Sequence, residues 1–258
     1  MTETTPPTPD TPVPDETSAE STAETLFRKR LPFEDGIYRG LEHRPKAPLA
    51  QQSNFVPLTA WIYEPVWRRY SLSILTGGSY SVERELALMR ERLEPRPGDV
   101  ILDAACSAGL YARTLLEHHP ATTVHALDYS LPFLRQARRY AERDDVDPVL
   151  VHADVRALPY RDAVFDHIVC GGSLNEFTDL GAHLSELSRV LKPGGLMWQM
   201  YLTRAESWYG RLFQGLLSLP GLRFFEVDKV DRTMRDVGMR PLRAEYRGVV
   251  SLAVFSKE

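Results

Sequence analysis

Short apolar runs alternate with amphipathic segments of helical length from residue 99 onward, and this alternation constrains the fold more than any other feature of the sequence. The runs of strand length are "DVILDA", "TTVHALD", "PVLVHAD", "FDHIVCG" and "GLMWQMYL". Strands that alternate with helices form parallel sheets covered by helices on both faces. We therefore expect an α/β fold with an open, mostly parallel sheet.

The segments between and after these runs carry helix and turn signals. "SLPFLRQARRYAER" opens with Ser130 as the expected N-cap and Pro132 in the first turn. A later helix places leucines 180, 184, 187 and 191 on one face and ends at "KPGG". "DKVDRTMRDVG" predicts a helix with Asp228 as its cap. "RPLRAEYR" and "VVSLAVFS" flank Gly248 and predict a C-terminal antiparallel strand pair.

Three segments lie outside this alternation. Residues 1–25 are rich in Thr, Pro and acids and have no aromatic residue, which predicts a disordered tail. Residues 26–97 predict a helical N-terminal extension and substrate lid, followed by the main domain over residues 98–258. Within that domain, residues 203–226 form an apolar and aromatic insertion that is expected to be a second lid. The alternative for both aromatic stretches is core packing or a contact in a homodimer.

Charge and composition exclude several functions. The whole chain carries a formal charge of −4 and the first 25 residues contribute −6, so the remainder carries only +2. A body so close to neutral argues against a nucleic-acid partner. No apolar run approaches the roughly eighteen residues of a membrane span, and no signal peptide is evident. We therefore expect no integral membrane segment and a cytoplasmic protein.

Two cysteines, Cys106 and Cys170, are too few for a disulfide framework and have no metal-ligand spacing. We expect both to be small buried residues with reduced thiols.

Polar residues gather where the first two predicted strands end. In an open parallel sheet, ligands bind beyond the carboxyl ends of the strands, beside the first strand. Asp103 ends that strand, the turn "AACSAG" follows, and a helix with free N–H groups begins near Gly109. Asp128 ends the second strand 25 residues later, where a carboxylate can accept both hydroxyls of a ribose. The arrangement predicts a nucleoside site.

A dinucleotide site is the weaker interpretation. The Gly-x-Gly-x-x-Gly pattern would fall on Ala105, Ser107 and Leu110, none of which is glycine, and no Walker-type loop is present. A nicotinamide-dependent oxidoreductase remains the third hypothesis for function, because it would share Asp128.

Four segments together carry a family resemblance: "VILDAACSAGLYARTL", "VHALDYS", "LVHADVRALPYRDAVFDHIVC" and "ELSRVLKPGGLMWQM". In this order and spacing, over about residues 98–202, they resemble the motifs of class I S-adenosylmethionine-dependent methyltransferases, which have a Rossmann-like fold. The branch they most resemble is the ubiquinone/menaquinone-biosynthesis-like (type 11) group. The segment just upstream, "YEPVWRRYSLSILTGGSYSVERELALM", is similar to the lead-in of uncharacterised cyanobacterial and plastid methyltransferase-like proteins.

The resemblance implies S-adenosylmethionine as cofactor and a role for each matching position. The implied contacts are Asp103, Ala105, Cys106, Ser107 and Gly109 with the methionyl part, Asp128 with the ribose, Tyr129 with the adenine, Asp154 and the Val155 backbone with the adenine edge, and Gly171 with the methionyl amino group. For each acid the alternative is a carboxylate that only caps a strand end or a helix. The resemblance also implies that the first and fourth strands are neighbours, so Cys106 and Cys170 are expected to line the same pocket floor.

The family usually has glycine where this chain has Ala105 and Ser107. A non-glycine residue forced to a positive φ costs about 1–2 kcal/mol. The second hypothesis is therefore a non-catalytic methyltransferase-like protein that binds the cofactor through a degenerate loop.

Methyl transfer from a sulfonium requires alignment of the reactants and exclusion of water, so no catalytic signature is expected. The Asp/Asn-Pro-Pro-aromatic arrangement of amino-group methyltransferases is absent after the fourth strand. We expect transfer to oxygen or carbon of a small, lipophilic metabolite. Candidate substrate contacts are Tyr63, Asn175 and Tyr201.

Overall fold

A computed structural model describes residues 24–41, 56–177, 179–219 and 221–258. All but the last two residues of the predicted tail, 1–25, lie outside these ranges. The strands are β1 Phe33–Glu34, β2 Ile37–Arg39, β3 Val100–Ala104, β4 Thr123–Asp128, β5 Val149–His152, β6 Phe165–Gly171, β7 Leu191–Leu202, β8 Met239–Arg247 and β9 Val250–Lys257.

Helices cover this sheet. Their bounds are α1 Pro57–Ile62, α2 Arg69–Leu75, α3 Val82–Leu93, α4 Leu110–His118, α5 Leu131–Arg143, α6 Leu180–Val190, α7 Trp208–Ser218 and α8 Val227–Asp236. A π-helical turn, Tyr63–Arg68, joins α1 to α2. Among the residues that the structure describes, no helix is both long enough and apolar enough to cross a membrane.

The strands form one sheet in the order β1-β2-β5-β4-β3-β6-β7-β9-β8. The strands from β2 to β7 run parallel, while β1 pairs antiparallel with β2 and β9 pairs antiparallel with both β7 and β8. The α/β prediction and the C-terminal antiparallel pair are confirmed. Strand β3 lies between β4 and β6, so the chain order reverses beside its carboxyl end, which is where such sheets bind ligands.

Apolar residues fill both faces of the sheet because successive side chains of a strand point to opposite sides. Leu102 belongs to a core cluster that α6 and α8 cover, whereas the preceding Ile101 belongs to a second cluster under α3, α4 and α5. Leu184 and Leu187 of the predicted leucine face are fully buried in the first cluster. The expected helices on both faces are therefore present.

Two local details differ from the sequence-based expectation. The β1–β2 hairpin, which pairs β2 with β5, was not predicted, because strands of two and three residues carry no measurable alternation. Asp228 is not the cap of α8: the N-cap is Glu226, and Asp228 lies in the first turn, where its charge favours the positive end of the helix. Ser130 does cap α5, accepting a hydrogen bond from the Phe133 N–H at 3.4 Å.

The segment α1–α3 lies over the carboxyl end of the sheet and is fixed there by buried charge. Arg68 donates to Glu85 of α3 at 2.7 Å, and both side chains are buried. Arg113 of α4 donates to Glu64 at 2.6 Å. The spacing of Val82, Leu86, Met89 and Leu93 in the sequence predicts one apolar face for α3. That prediction is only partly correct, because Glu85 and Leu88 are buried and Leu86 is only partly buried.

Candidate functional site

A pocket opens at the carboxyl end of β3, at the predicted position. Its lining combines residues of the β3–α4 turn with residues of the lid segment: Tyr63, Glu64, Arg68, Asp103, Ala105, Cys106, Ser107, Ala108, Leu110, Tyr111 and Gly171. Six of the predicted cofactor and substrate positions are in this set. Gly109 lies beside it as the N-cap of α4, with φ of 75°.

The β3–α4 turn passes through the left-handed region at two positions that are not glycine. Ala105 has φ of 56° and Ser107 has φ of 50°. Glycine adopts this conformation without steric cost, which is why glycine was expected here. The turn is held from the neighbouring strand, since the Cys106 N–H donates to the Leu127 carbonyl at 2.9 Å and the Ser107 N–H donates to Asp128 Oδ2 at 2.9 Å.

Asp128 connects the turn to the start of the next helix. Its Oδ2 accepts from Ser107 and its Oδ1 accepts from the Ser130 N–H at 2.8 Å. Burial raises the pKa of this carboxyl to about 6, against the opposing effect of these backbone hydrogen bonds. The Tyr129 N–H is a third backbone donor to this carboxyl. The two carboxylate oxygens have four acceptor sites in all, so capacity for one hydroxyl donor remains. The structure thus shows the capping interaction that was the alternative reading of Asp128, and that interaction leaves the ribose contact open.

Asp103 is almost completely buried at the floor of the pocket. Its Oδ2 accepts from the Ala112 N–H in the first turns of α4 at 3.0 Å. Burial raises the pKa of Asp103 to about 7, and the Asp128 carboxylate adds to the rise. A cationic ligand group beside Asp103 would favour the ionised form.

Arg68 is a pocket residue that sequence reasoning missed. Its Nη2 pairs with Glu85, but its buried Nη1 has no hydrogen-bond partner among the described residues. Burial lowers the pKa of Arg68, but Glu85, Tyr111 and Tyr63 together outweigh that effect, so its pKa is raised. An unpartnered guanidinium nitrogen aimed at a pocket is a donor for a ligand carboxylate. The only sequence signal was one basic pair, Arg68 and Arg69, within an aromatic stretch.

Gly171 and Tyr111 form the wall opposite the turn. A Cβ on Gly171 would lie 2.6 Å from Cε2 of Tyr111, so no larger residue fits without moving the ring. The Tyr111 hydroxyl donates to Glu85 and accepts from Trp198 Nε1 at 3.3 Å. Burial raises the pKa of Tyr111 well above its usual value, so the phenol stays protonated.

The structure brings Tyr63 into the pocket but does not bring Asn175 or Tyr201 there. Tyr63 packs edge-on against Phe133 of α5, with ring centroids 5.2 Å apart. Asn175 is fully buried and its amide bonds to backbone, accepting from Leu202 N at 2.7 Å and donating to the carbonyls of Leu202 and Arg223. Tyr201 is fully buried within β7. Neither is placed for the predicted substrate contact.

The residues that are expected to contact the adenine follow the carboxyl ends of two strands: Tyr129 follows β4, and Asp154 and Val155 follow β5. Asp154 caps the short 3₁₀ helix Val155–Ala157 by accepting from the Arg156 N–H at 2.9 Å, and it also pairs with the Arg156 side chain. Its role towards an adenine stays a prediction, as does that of Tyr129, whose carbonyl lies 3.1 Å from His152 Nε2.

Both cysteines are buried and free, as expected. The expectation that they share one pocket floor is wrong. Cys106 lines the pocket, but Cys170 belongs to the core cluster on the opposite face of the sheet, because side chains alternate along β6 and Gly171 takes the pocket side.

Known proteins share this fold and this part of the sequence. Residues 101–195 match the family described as "Methyltransferase domain". An uncharacterised chloroplastic methyltransferase of Arabidopsis thaliana is 32% identical over 154 residues, which are 58% of this chain and 42% of that protein. The demethylmenaquinone methyltransferase of Corynebacterium kroppenstedtii is 33% identical over 138 residues, 53% of this chain and 56% of that protein.

A solved structure extends the likeness beyond the matched residues. Phosphoethanolamine N-methyltransferase 2 of Haemonchus contortus, in complex with S-adenosyl-L-methionine, superposes with a TM-score of 0.60 and 17% identity over 76% of this chain and 44% of that one. At this identity the likeness shows the fold alone. The chain spans about half the length of the curated relatives it matches, 42% and 56% of the two named here.

The left-handed turn makes a prediction about stability. Ala104 and Ala105 are adjacent and both buried, but only Ala105 has a positive φ. Replacing Ala105 by glycine relieves about 1–2 kcal/mol of strain, which offsets the lost methyl burial and the added chain entropy. We expect Ala105→Gly to change the free energy of unfolding by less than about 1 kcal/mol and Ala104→Gly to lower it by about 1–2 kcal/mol. Urea unfolding of the two variants measures the difference, and equal losses would contradict the strain.

The buried carboxyl groups make a prediction about pH. Asp103 and Asp128 have pKa values near 7 and 6 in the folded chain, above the unfolded value of about 3.9. The folded state therefore binds more protons between about pH 4 and pH 7, and its free energy of unfolding falls as the pH rises through that interval.

Asp103→Asn keeps an acceptor for the Ala112 N–H but cannot ionise, so we expect a shallower fall with pH than in the wild type. Urea unfolding from about pH 4.5 to about pH 7.5 tests this. Asp147→Asn, at an exposed position, is the control for removing one carboxylate. Identical slopes for wild type and Asp103→Asn would count against a buried, protonated Asp103.

Proposed function

We propose that this chain transfers a methyl group to oxygen or carbon of a small, lipophilic metabolite. The premise is that residues 101–195 are a class I methyltransferase domain whose cofactor is S-adenosylmethionine. The observation that carries the proposal is the pairing, in one pocket, of Arg68, a partly unsatisfied cation, with the buried carboxyl group of Asp103. Arg68 stands on one side, and Asp103 and Asp128 stand at the ends of neighbouring strands.

The pocket fits the charges of the cofactor. Its methionyl part is a zwitterion, for which Arg68 Nη1 offers a donor to the carboxylate and Asp103 offers a counter-charge to the ammonium group. Gly171 lines the same pocket, where its backbone would meet the amino group, and the Tyr111 ring fills the space that a side chain at this position would need. Asp128 would hold the ribose, and Tyr129, Asp154 and the Val155 backbone would contact the adenine.

Tyr63 occupies part of this pocket from the lid side. It lies against Phe133 and hydrogen-bonds with Ser107. The proposal therefore includes an outward movement of Tyr63 with the π-helical turn when the cofactor enters. Such gating would exclude water once the lid has closed again.

When bound, the cofactor would supply an electrophilic methyl group to an electron pair of the acceptor, on oxygen or on an electron-rich ring carbon, and the electron pair of the broken carbon–sulfur bond would stay on sulfur. Transfer to a ring carbon would also release the proton of that carbon to water. Burial raises the pKa of Tyr111 and of Cys106 well above their usual values, so neither supplies a base near neutral pH. Glu64 pairs with Arg113 through Oε1, whereas its buried Oε2 has no hydrogen-bond partner among the described residues. Asp103, whose pKa is raised to about 7, is the proposed counter-charge of the cofactor's ammonium group. An acceptor that ionises readily, such as a phenol, an enol or a quinol, needs little help from a base.

Curated relatives support a quinone-like acceptor, since one is named a demethylmenaquinone methyltransferase and another a 2-phytyl-1,4-naphtoquinone methyltransferase. A naphthoquinol without its ring methyl group is the proposed class of substrate for this chain. Cytoplasmic location and a homodimer stay predictions, and two relatives are named chloroplastic.

Calorimetric titration of the purified chain with S-adenosylmethionine tests the proposed site. We expect Asp128→Asn to weaken binding by at least about tenfold, because it removes a charged acceptor of the ribose hydroxyls. Asp147→Asn, at an exposed position outside the pocket, should bind like the wild type. Absence of heat at millimolar cofactor would remove the proposal, and equal affinity in Asp128→Asn would remove the role of that residue.

The alternative, a non-catalytic cofactor-binding protein, makes the opposite prediction for the turn. Because Ala105 and Ser107 already adopt the left-handed conformation, their strain is present before any ligand binds. We therefore expect the double variant Ala105→Gly, Ser107→Gly to bind the cofactor within about threefold of the wild type. A gain of tenfold or more, together with no release of S-adenosylhomocysteine from the wild type with a naphthoquinol, would favour the alternative.

A further inference from the structure

Helix α7 exposes its apolar side, whereas an ordinary surface helix buries that side against the protein. Large apolar side chains point to solvent, with 59% to 80% of their surface exposed: Trp208, Tyr209, Leu212, Phe213, Leu216 and the cap residue Leu219. At 3.6 residues per turn these residues fall within a sector of about 140°. Fully exposing apolar side chains of this size forfeits about 1.5–3 kcal/mol each.

A polar residue attaches this helix to the protein. Gln214 is buried and lies on the side of α7 opposite the apolar sector. Its Oε1 accepts from the Ala205 N–H at 2.8 Å, and its Nε2 donates to the Thr203 carbonyl at 2.9 Å. Gln214 therefore attaches α7 to the protein through polar contacts, and the apolar side of the helix faces outward.

A second apolar stripe runs along the lid segment. Leu58, Ile62, Val66, Tyr70 and Ile74 are spaced four residues apart and are 41% to 74% exposed. Residues at this spacing lie one above another on a helix. Val249 joins the ends of the two segments: its N–H donates to the Leu75 carbonyl at the end of α2, and its carbonyl accepts from the N–H of Thr203, to which Gln214 of α7 is bonded. We call these two outward apolar surfaces the apolar face.

The charge around the apolar face is positive, although the chain as a whole carries −4. Within residues 56–75 and 203–225 the exposed charged side chains are four arginines and one acid: Arg69, Arg204, Arg211, Arg223 and Glu206. Arg204 pairs with Glu226, whereas the other three arginines are in no ion pair of the described residues. Apolar residues flanked by arginines are the arrangement by which helices lie in the headgroup region of an anionic membrane.

We infer that the apolar face binds the surface of an anionic lipid membrane, with α7 lying in the headgroup region and the arginines around the apolar face on lipid phosphates. A large apolar patch on a protein surface marks an interaction site. The outward side chains of α7 suit a deformable lipid layer, and the arginines around them supply complementary charge. This inference goes beyond the proposed function and does not depend on it.

Flotation of the full chain with vesicles tests the inference. We expect binding to phosphatidylcholine vesicles that contain phosphatidylglycerol, weaker binding to phosphatidylcholine alone, and loss of the difference at high salt. The double variant Leu212→Glu, Phe213→Glu should reduce the bound fraction at least about tenfold. Arg211→Gln and Arg223→Gln should each weaken binding to the anionic vesicles about fivefold and leave binding to phosphatidylcholine unchanged.

Leu242→Glu is the matched control, because Leu242 is an exposed leucine on β8, away from the apolar face. It should float like the wild type. Thermal unfolding verifies that each variant folds, and cofactor titration of the same samples separates a failure of lipid binding from a failure of the proposed function.

Three outcomes would overturn the inference. The first is a wild type that floats with neither kind of vesicle. The second is a Leu212→Glu, Phe213→Glu variant that floats like the wild type. The third is a wild type that is a dimer by light scattering and binds no vesicles, while the Leu212→Glu, Phe213→Glu variant is a monomer. A second copy of the chain would then be the occupant of the apolar face.

Discussion

The hydrogen bond from the Ser107 N–H to Asp128 is the constraint on which the pocket depends. The chain leaves β3, turns twice through the left-handed region without glycine and enters α4 within five residues. A turn of this kind needs support from outside itself, and Asp128 gives it while also fixing the start of α5 through the Ser130 N–H. One carboxylate thus sets the relative positions of two strands, one turn and two helix starts. The positions of Asp103, Gly109 and Tyr111 follow from that frame.

The sequence predicted the central part of the fold because its signals are local. Alternating strands and helices, the Ser130 cap and the final strand pair all depend on patterns a few residues long, and these are present in the structure. The carboxyl ends of adjacent parallel strands lie at the same edge of a sheet, so the sequence analysis could also place Asp103 and the turn after it at one site. The side of the sheet on which Cys170 lies could not be foreseen without the strand register.

The lid was harder to predict because its attachment is electrostatic and long-range. Arg68 and Glu85 are 17 residues apart, and Glu64 and Arg113 are 49 residues apart. A buried ion pair is stable only when both partners are in place, and no apolar period marks it in advance. Tyr63 was identified, but Arg68 was not. The contacts of Asn175 are also long-range, since its side-chain amide bonds to the backbone of Leu202 and Arg223. Nothing local marks these contacts, and the sequence analysis assigned Asn175 to the substrate.

The two edges of the sheet end in different ways. One edge is the two-residue strand β1, and the other is β8, which carries Arg240, Arg243 and Arg247 along its length. A very short strand offers too few free N–H and C=O groups to template another chain, and repeated positive charge repels an identical neighbour. Both borders are therefore protected against strand-by-strand polymerisation. If copies of this chain associate, we expect helices rather than a continued sheet to form the contact, because both borders of the sheet formed by the described residues resist the addition of a strand.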